Sequence, residues 1–135
     1  MAAKKTIRVL LLLAAVVASQ LTLAQDMAID TNNCAPGGNL RGNAESGQVV
    51  HLEYCAQCHG HDGKAEVIVM HMDEMPRDQT DATYMSTLND QFLYLAICGG
   101  GEAIGKSLVM PAWGDTLTDQ EIRDLVAWIR TFAAT

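Results

Sequence analysis

The sequence predicts an all-α fold, and the spacing of its apolar residues carries that prediction. Near the C-terminus, residues 118–121 read Thr-Asp-Gln-Glu, which is typical of the capping box that begins a helix. The apolar residues of this predicted last helix recur at helical spacing: Ile122, Leu125, Val126, Ile129 and Ala133. Its polar residues are predicted to cover the other side: Arg123, Asp124, Arg130 and Thr131. No stretch alternates between apolar and polar residues strongly enough to predict a strand.

Two further helices are predicted upstream of the last one. The first spans about residues 46–57, and one of its faces carries Gly47, Val50, His51, Tyr54 and Cys55. The second begins at the predicted N-cap Asn89 and continues through Ile97, where Gly99-Gly100-Gly101 ends it. One or two helical turns are predicted over residues 83–88, and irregular loops over residues 60–81 and 99–117.

The N-terminal segment has the pattern of a secretory signal peptide. Three basic residues among the first eight precede an apolar run over residues 9–18, and the small residue Ala24 offers a cleavage position. We therefore predict a cleaved signal at residues 1–24, export to the periplasm, and no membrane span after cleavage. The apolar run is about half of the roughly 20 residues that a spanning helix needs. The weaker stretch up to Ala24 keeps an uncleaved anchor open as the alternative.

The remainder of the 135-residue chain is long enough for one domain and too short for two. Residues 25–43 contain turn formers without an apolar stripe, so they predict a loop-rich N-terminal extension. Residues 44–135 contain all the predicted helices and are expected to form the domain itself.

The charge balance excludes one class of protein and suggests the nature of the partners. The chain has nine basic and 16 acidic residues, a net charge of −7, which disfavours nucleic-acid binding. Loss of residues 1–24 removes three basic residues and no acidic ones, which leaves a net charge of −10. Such a charge would steer the domain towards partners with a basic docking surface. Simple maintenance of solubility explains it equally well.

The sequence Cys55-Ala56-Gln57-Cys58-His59 is the C-x-x-C-H motif of covalent c-type haem attachment. Its two thiols can form thioethers with the haem vinyl groups, and the adjacent imidazole can bind the iron. A thioredoxin-like redox pair would need a βαβ context, which the sequence does not show. A zinc site would need two further ligands, but Cys34 and Cys98 are remote and His61 is very close. A disulfide across two residues is a strained and uncommon arrangement.

Residues 44–133, which contain this motif, resemble the class I monohaem cytochromes c. The resemblance implies a cytochrome c-like fold of three to five helices around one covalently attached haem. It also implies that Met110, in the loop segment Leu108-Val109-Met110-Pro111, is the sixth iron ligand opposite His59. A neutral thioether favours ferrous iron and raises the redox potential. His71 is the second choice, and it would give a lower potential.

Several other positions match the family or depart from it. Gly47 resembles the glycine that lets the terminal helix approach the first helix, and Trp128 resembles the aromatic residue packed on it. His51 stands where the family usually has Phe or Tyr, and we expect its ring to pack at the helix crossing, with a ligand or proton-coupled role as the alternative. The Gly-Pro pair that often orients the proximal histidine is missing after Gly63. Some other backbone carbonyl is therefore expected to accept the proton on Nδ1 of His59.

Two more residues are candidates for binding the haem propionates. Arg77 could reach one of them through paired hydrogen bonds, and Trp113 could donate its indole N–H to the same edge. A solvated arginine and a tryptophan that only packs its own loop are the alternatives.

Cys34 and Cys98 remain once the haem motif is accounted for. In an oxidising compartment they are predicted to form a disulfide that ties the loop-rich extension to the end of the helix predicted from Asn89 through Ile97. An intermolecular bridge and two reduced, buried thiols are the alternatives.

These features predict an electron carrier rather than an enzyme, because two protein ligands would leave the iron no open site for a substrate. A fixed electron-entry subunit of a larger oxidoreductase or photosynthetic complex is the alternative. A haem enzyme or gas sensor would need a polar distal pocket, and the sequence shows no clear distal acid–base pair.

Overall fold

The computed structural model of the chain describes residues 34–35, 38–65, 72 and 74–134. The predicted signal segment, residues 1–24, lies outside the described residues, and so does His71. Within the described part, the chain forms five helices and no strand, which confirms the predicted all-α class. Helix α1 has three successive segments, Ala44–Val50, the π-helical His51–Cys55, and Ala56–His59. The other helices are α2 (Ala82–Met85), α3 (Asp90–Cys98), α4 (Gly100–Ala103) and α5 (Asp119–Phe132).

Helix α1 is longer than the sequence predicts at both ends. It begins after Asn43, whose side-chain oxygen accepts hydrogen bonds from the backbone N–H groups of Glu45 and Ser46, at 2.9 and 3.1 Å. It ends at Gly60, which has a φ of 75°, a conformation that glycine adopts without steric cost. In its middle, the backbone N–H of Ala56 donates a hydrogen bond to the carbonyl of His51. This i to i+5 bond defines a π-helical turn that ends at Cys55, the first residue of the haem motif.

Helix α5 begins with the predicted capping box. The Thr118 side chain accepts a hydrogen bond from the backbone of Glu121, and the Glu121 carboxylate accepts one from the backbone of Thr118 at 2.8 Å. The apolar stripe faces the core as predicted: Ile122, Leu125, Val126 and Ile129 are all buried. Ala133, the last residue of the stripe, is half-buried.

The polar side of α5 differs from a solvated surface, because Arg123 and Asp124 are only 8% and 7% exposed. The Asp124 carboxylate accepts hydrogen bonds from the backbone of Asn43 at 2.7 Å and from the side chain of Gln120 at 2.8 Å. Arg123 donates to the Asn39 carbonyl at 2.5 Å. These polar side chains therefore bind the start of α1 and the segment before it. The spacing of residues in the sequence does not predict these contacts.

Helices α1 and α5 cross at Gly47, as the family resemblance implies. A Cβ atom at this position would run into the backbone carbonyl of Asp124 and the Cβ of Trp128. Next to the crossing, the His51 ring makes edge contacts with the rings of Trp128 and Phe132, at centroid distances of 6.3 and 5.5 Å. His51 is 0% exposed, which confirms that its ring packs at the crossing.

The middle of the chain agrees with the predictions in part. Asn89 caps α3 by accepting a hydrogen bond from the Phe92 backbone at 2.8 Å. The stretch over residues 83–88 contributes one turn, α2, whose N-cap is Asp81. The prediction of an unbroken loop over residues 99–117 was wrong, because α4 forms directly after Gly99.

Cys34 and Cys98 form an intramolecular disulfide, with their Cα atoms 5.5 Å apart. The bridge joins the loop-rich extension to the last residue of α3, as the sequence predicts. Both cysteines are buried, at 6% and 2% exposure. Among the described helices, none has the length and hydrophobicity needed to span a bilayer.

Candidate haem-attachment site

The C-x-x-C-H motif occupies the C-terminal end of α1. Cys55 ends the π-helical segment, while Cys58 and His59 form the final turn. Both thiols are half-buried, and neither takes part in a disulfide. Burial, followed by the neighbouring Cys58, raises the pKa of Cys55 to about 11, so its thiol is protonated at neutral pH. The structure therefore has no disulfide between Cys55 and Cys58.

His59 is held as a neutral imidazole. Burial, with a smaller contribution from the charge of His51, lowers the pKa of His59 to about 4. A neutral ring is the form that binds a metal, so no proton has to be displaced at neutral pH. The loop that follows is closed by a hydrogen bond from the Ala65 backbone N–H to the His59 carbonyl at 3.0 Å.

The Nδ1 atom of His59 faces a side chain rather than the expected backbone carbonyl. The Nε2 atom of Gln79 lies 3.4 Å from it. The other end of the same amide, Oε1, is buried and has no hydrogen-bond partner within the described residues. Gln79 was not among the predicted site residues, because no sequence pattern distinguishes it within residues 60–81.

His51 supports the turn that carries the motif. Its Nε2–H donates a hydrogen bond to the Gly60 carbonyl at 2.9 Å, directly after His59. Burial lowers the pKa of His51, the Gly60 carbonyl opposes that shift, and the charge of His61 adds to it. In the described part of the chain, the Nδ1 atom of His51 has no hydrogen-bond partner.

The loop that carries Met110 is fastened to the end of α3 and to α4. The Met110 carbonyl accepts a hydrogen bond from the Gly101 backbone at 3.0 Å, and the Trp113 backbone donates to the Ile97 carbonyl at 3.0 Å. Gly100 has a φ of 72°, and a Cβ atom there would run into the backbone of residues 110–112. The Met110 side chain is half-buried against the core. Backbone hydrogen bonds to α3 and α4 therefore fix the conformation of this loop.

The two predicted propionate ligands lie in different surroundings. The Trp113 ring packs at 5.5 Å from the ring of Tyr54, the residue before Cys55, so it lies beside the attachment segment. The exposed Arg77 stacks its guanidinium over the Tyr84 ring, 4.0 Å from the centroid. Contacts of either residue with a propionate stay predictions.

The donor set at this site fits a c-type haem. Two half-buried thiols and a neutral imidazole stand together at the end of α1, and the partnerless Oε1 of Gln79 supplies a buried acceptor beside the imidazole. The zinc alternative would have used Cys34 and Cys98, which are already bonded to each other. Among the residues that the structure describes, no three potential ligands converge on a metal position.

An all-helical domain whose first helix ends in this donor set defines a c-type cytochrome. Residues 42–129, from the start of α1 through most of α5, match the family model described as cytochrome c oxidase, cbb3-type, subunit III, and the chain belongs to that family. A comparison with curated proteins found no match. Membership of the family implies a covalently bound c-type haem and haem-based electron transfer.

Proposed function

We propose that the protein is an exported, periplasmic electron carrier that moves one electron at a time between redox partners on a single His/Met-ligated haem. It would catalyse no substrate reaction of its own. The observation that carries the proposal is the placement of Cys55, Cys58 and His59 on the last turns of one helix. The backbone-anchored loop around Met110 supports the choice of the second ligand.

Each residue of the site would have one role. The thiols of Cys55 and Cys58 would hold the haem as thioethers, and the neutral ring of His59 would bind the iron. Met110 would supply the second iron ligand, and its neutral thioether would favour the ferrous state. When bound, the haem supplies the ferrous–ferric couple. Arg77 and Trp113 would bind its propionates, which for Arg77 requires its guanidinium to leave the Tyr84 ring.

The charge of the exported domain suggests how it meets its partners. With residues 1–24 removed, the net charge would be −10, which favours brief docking on a basic surface. Electron-transfer rates with such a partner should fall as ionic strength rises, because salt screens the attraction.

The family supports a second candidate, a fixed haem-bearing subunit of a larger periplasmic oxidoreductase. The matching family model is described as a subunit of an oxidase, which is a component of a larger assembly. Native purification without detergent distinguishes the two candidates. A stable monomer on size exclusion supports the carrier, and constant co-purification with the same partners supports the subunit.

The visible spectrum of the purified protein in both oxidation states tests the proposed site. Covalent haem that resists extraction by acidified organic solvent is expected, with the absorption of His/Met ligation. Met110→Ala should abolish the His/Met features, whereas Met75→Ala should keep them, because Met75 is 67% exposed. An unchanged spectrum in Met110→Ala would refute the ligand, and tight carbon monoxide binding by the reduced wild type would contradict a closed carrier.

A further inference from the structure

The side chain of Gln79 is the polar group beside the outer nitrogen of the proximal histidine. Its Nε2 atom lies 3.4 Å from Nδ1 of His59, although 20 residues separate the two in sequence. Its Oε1 atom is buried without a partner in the described part of the chain. A buried polar atom without a partner carries a desolvation cost, so its presence here calls for an explanation.

The chemistry of a bound imidazole decides which end of the amide faces it. If Nε2 of His59 binds iron, Nδ1 carries the remaining ring proton and can only donate. An amide N–H group is also a donor, so it cannot bond to Nδ1–H. The two ends of a glutamine amide have the same shape, and a half-turn about the last side-chain bond brings Oε1 to the position facing Nδ1.

We propose that Gln79 is the positioning residue of the iron ligand: its Oε1 accepts the Nδ1 proton of His59 in the haem-bound protein. The proposal rests on the assignment of His59 as an iron ligand. It gives the partnerless oxygen of Gln79 a donor, and it fixes both the tautomer and the orientation of the ring.

The backbone around Gln79 is arranged to hold this contact. The Gln79 backbone N–H donates a hydrogen bond to the Gly63 carbonyl at 2.9 Å. Gly63 has a φ of 78° and lies against the Phe132 ring, where a Cβ atom would collide. The Ala65 backbone N–H closes the same loop onto the His59 carbonyl. The backbone of Gln79 is therefore fastened to the loop that follows the ligand.

The Gln79 amide would stand in for a backbone acceptor that this sequence lacks. In the cytochromes that the chain resembles, a carbonyl near a Gly-Pro pair often orients the proximal histidine, whereas this chain has Lys64 and Ala65 after Gly63. Here a side-chain amide from a distant position would take over that role. A side chain can be exchanged by mutation, so the strength of the acceptor becomes adjustable.

The acceptor should change the electronic properties of the iron. A hydrogen bond from Nδ1 makes the imidazole a stronger donor and stabilises ferric iron, which lowers the midpoint potential. Gln79→Leu removes the acceptor and should raise the potential. Gln79→Glu supplies a stronger, charge-bearing acceptor and should lower it.

The test uses the full-length holoprotein and two readouts, the midpoint potential and the NMR signal of the His59 Nδ1 proton in the reduced state. Gln79→Leu should raise the potential, shift the proton signal and speed exchange of that proton about fivefold, the scale of one lost hydrogen bond. Gln91→Leu is the matched control, since Gln91 is exposed on α3, and it should change neither readout.

The outcomes separate this inference from the proposed function. Absence of a covalent haem spectrum in the wild type would overturn the function and, with it, this inference. A normal wild-type spectrum combined with an unchanged potential and proton signal in Gln79→Leu would overturn the inference alone. If Gln79→Leu yields no holoprotein, Gln79→Glu decides: a lowered potential supports the role, and an unchanged or raised potential contradicts it.

Discussion

His51 combines two tasks in one buried ring. Its edges pack on Trp128 and Phe132, as Phe or Tyr would, and its Nε2–H also satisfies the Gly60 carbonyl at 2.9 Å. That carbonyl belongs to the residue after His59, so the hydrogen bond fixes the end of the helix that carries the motif. Histidine therefore adds a polar link that a purely apolar ring cannot make, at the cost of a titratable group in the core.

The stability of the holoprotein should consequently depend on pH through His51. Burial lowers the folded-state pKa below the ordinary value, so the unfolded chain binds a proton at higher pH than the folded chain does. The free energy of unfolding should decrease as the pH falls below about 6.5. Denaturant titrations at about pH 7.5 and pH 5 should show this loss in the wild type and a smaller one in His51→Phe.

Comparison of the two pH values within each protein removes any constant effect of the substitution, such as the loss of the bond to Gly60. The neighbouring imidazoles of His61 and His59 are the same in both proteins. Equal losses in the two proteins would contradict a role for His51.

The site residues that are adjacent in sequence could be predicted, whereas a residue that reaches the site from a distant position could not. Cys55, Cys58 and His59 are adjacent along the chain, so their spacing alone identifies a haem motif. Gln79 lies beside His59 although 20 residues separate the two in sequence, and the intervening residues carry no motif that predicts the contact. No periodicity or motif describes such a segment, so its partner could be found only in three dimensions.

Among the helices, the crossing of α1 and α5 depends on one missing side chain. Gly47 lets the backbone of α1 lie directly against the carbonyl of Asp124, and Trp128 packs over the same point. The Asp124 carboxylate then caps the backbone of Asn43 at the start of α1. Close approach and polar pairing therefore occur on the same stretch of α5.

Gly47→Ala should destabilise the protein even though alanine is the better helix former. Alanine would gain about 1 kcal/mol of helix propensity. Its Cβ, however, would clash with the backbone carbonyl of Asp124 and push α1 and α5 apart. Overpacking costs about 1–3 kcal/mol, and the clash here is with backbone atoms, so we expect a net loss of about 1–2 kcal/mol in the free energy of unfolding.

Gln48→Ala is the matched control for that measurement, because it introduces alanine at the next, exposed position of the same helix. Denaturant unfolding should leave this control within about 0.5 kcal/mol of the wild type. Equal stability of Gly47→Ala and the wild type would mean that the helices separate without cost at the crossing.

The helices also show which parts of the fold a sequence can specify. Helix α5 was predicted at its first residue because a capping box is a purely local device. Helix α4 was missed because its glycines favour a loop, whereas the structure holds them through the bond from Gly101 to the Met110 carbonyl. The burial of Arg123 was not predicted either, because its partner, the Asn39 carbonyl, lies far away in sequence.

For the molecule as a whole, the low aromatic content and the haem belong together. Only 5% of the residues are aromatic, and four of the seven form ring contacts beside the motif or at the helix crossing: Tyr54, Trp113, Trp128 and Phe132. A covalently held haem would supply the flat apolar surface that the composition lacks.

The Cys34–Cys98 disulfide should contribute to stability through the unfolded state. It closes a loop with a sequence separation of 64 residues, and closure of a loop of that size restricts the unfolded chain by about 4 kcal/mol. The double variant Cys34→Ala/Cys98→Ala should lose up to this amount in the free energy of unfolding. Its visible spectrum should remain that of the wild type, because the bridge does not include Cys55 or Cys58.

Mass spectrometry after alkylation under native, non-reducing conditions provides the independent check. The wild type should take up no alkylating agent at Cys34 or Cys98 until it is reduced, since both are bonded and buried. Two labelled thiols in the unreduced protein would contradict the bridge. A double variant that unfolds at the wild-type denaturant concentration would instead contradict the stabilisation through the unfolded state, because the unfolded chain of the variant lacks the closed loop whatever contacts the folded state keeps.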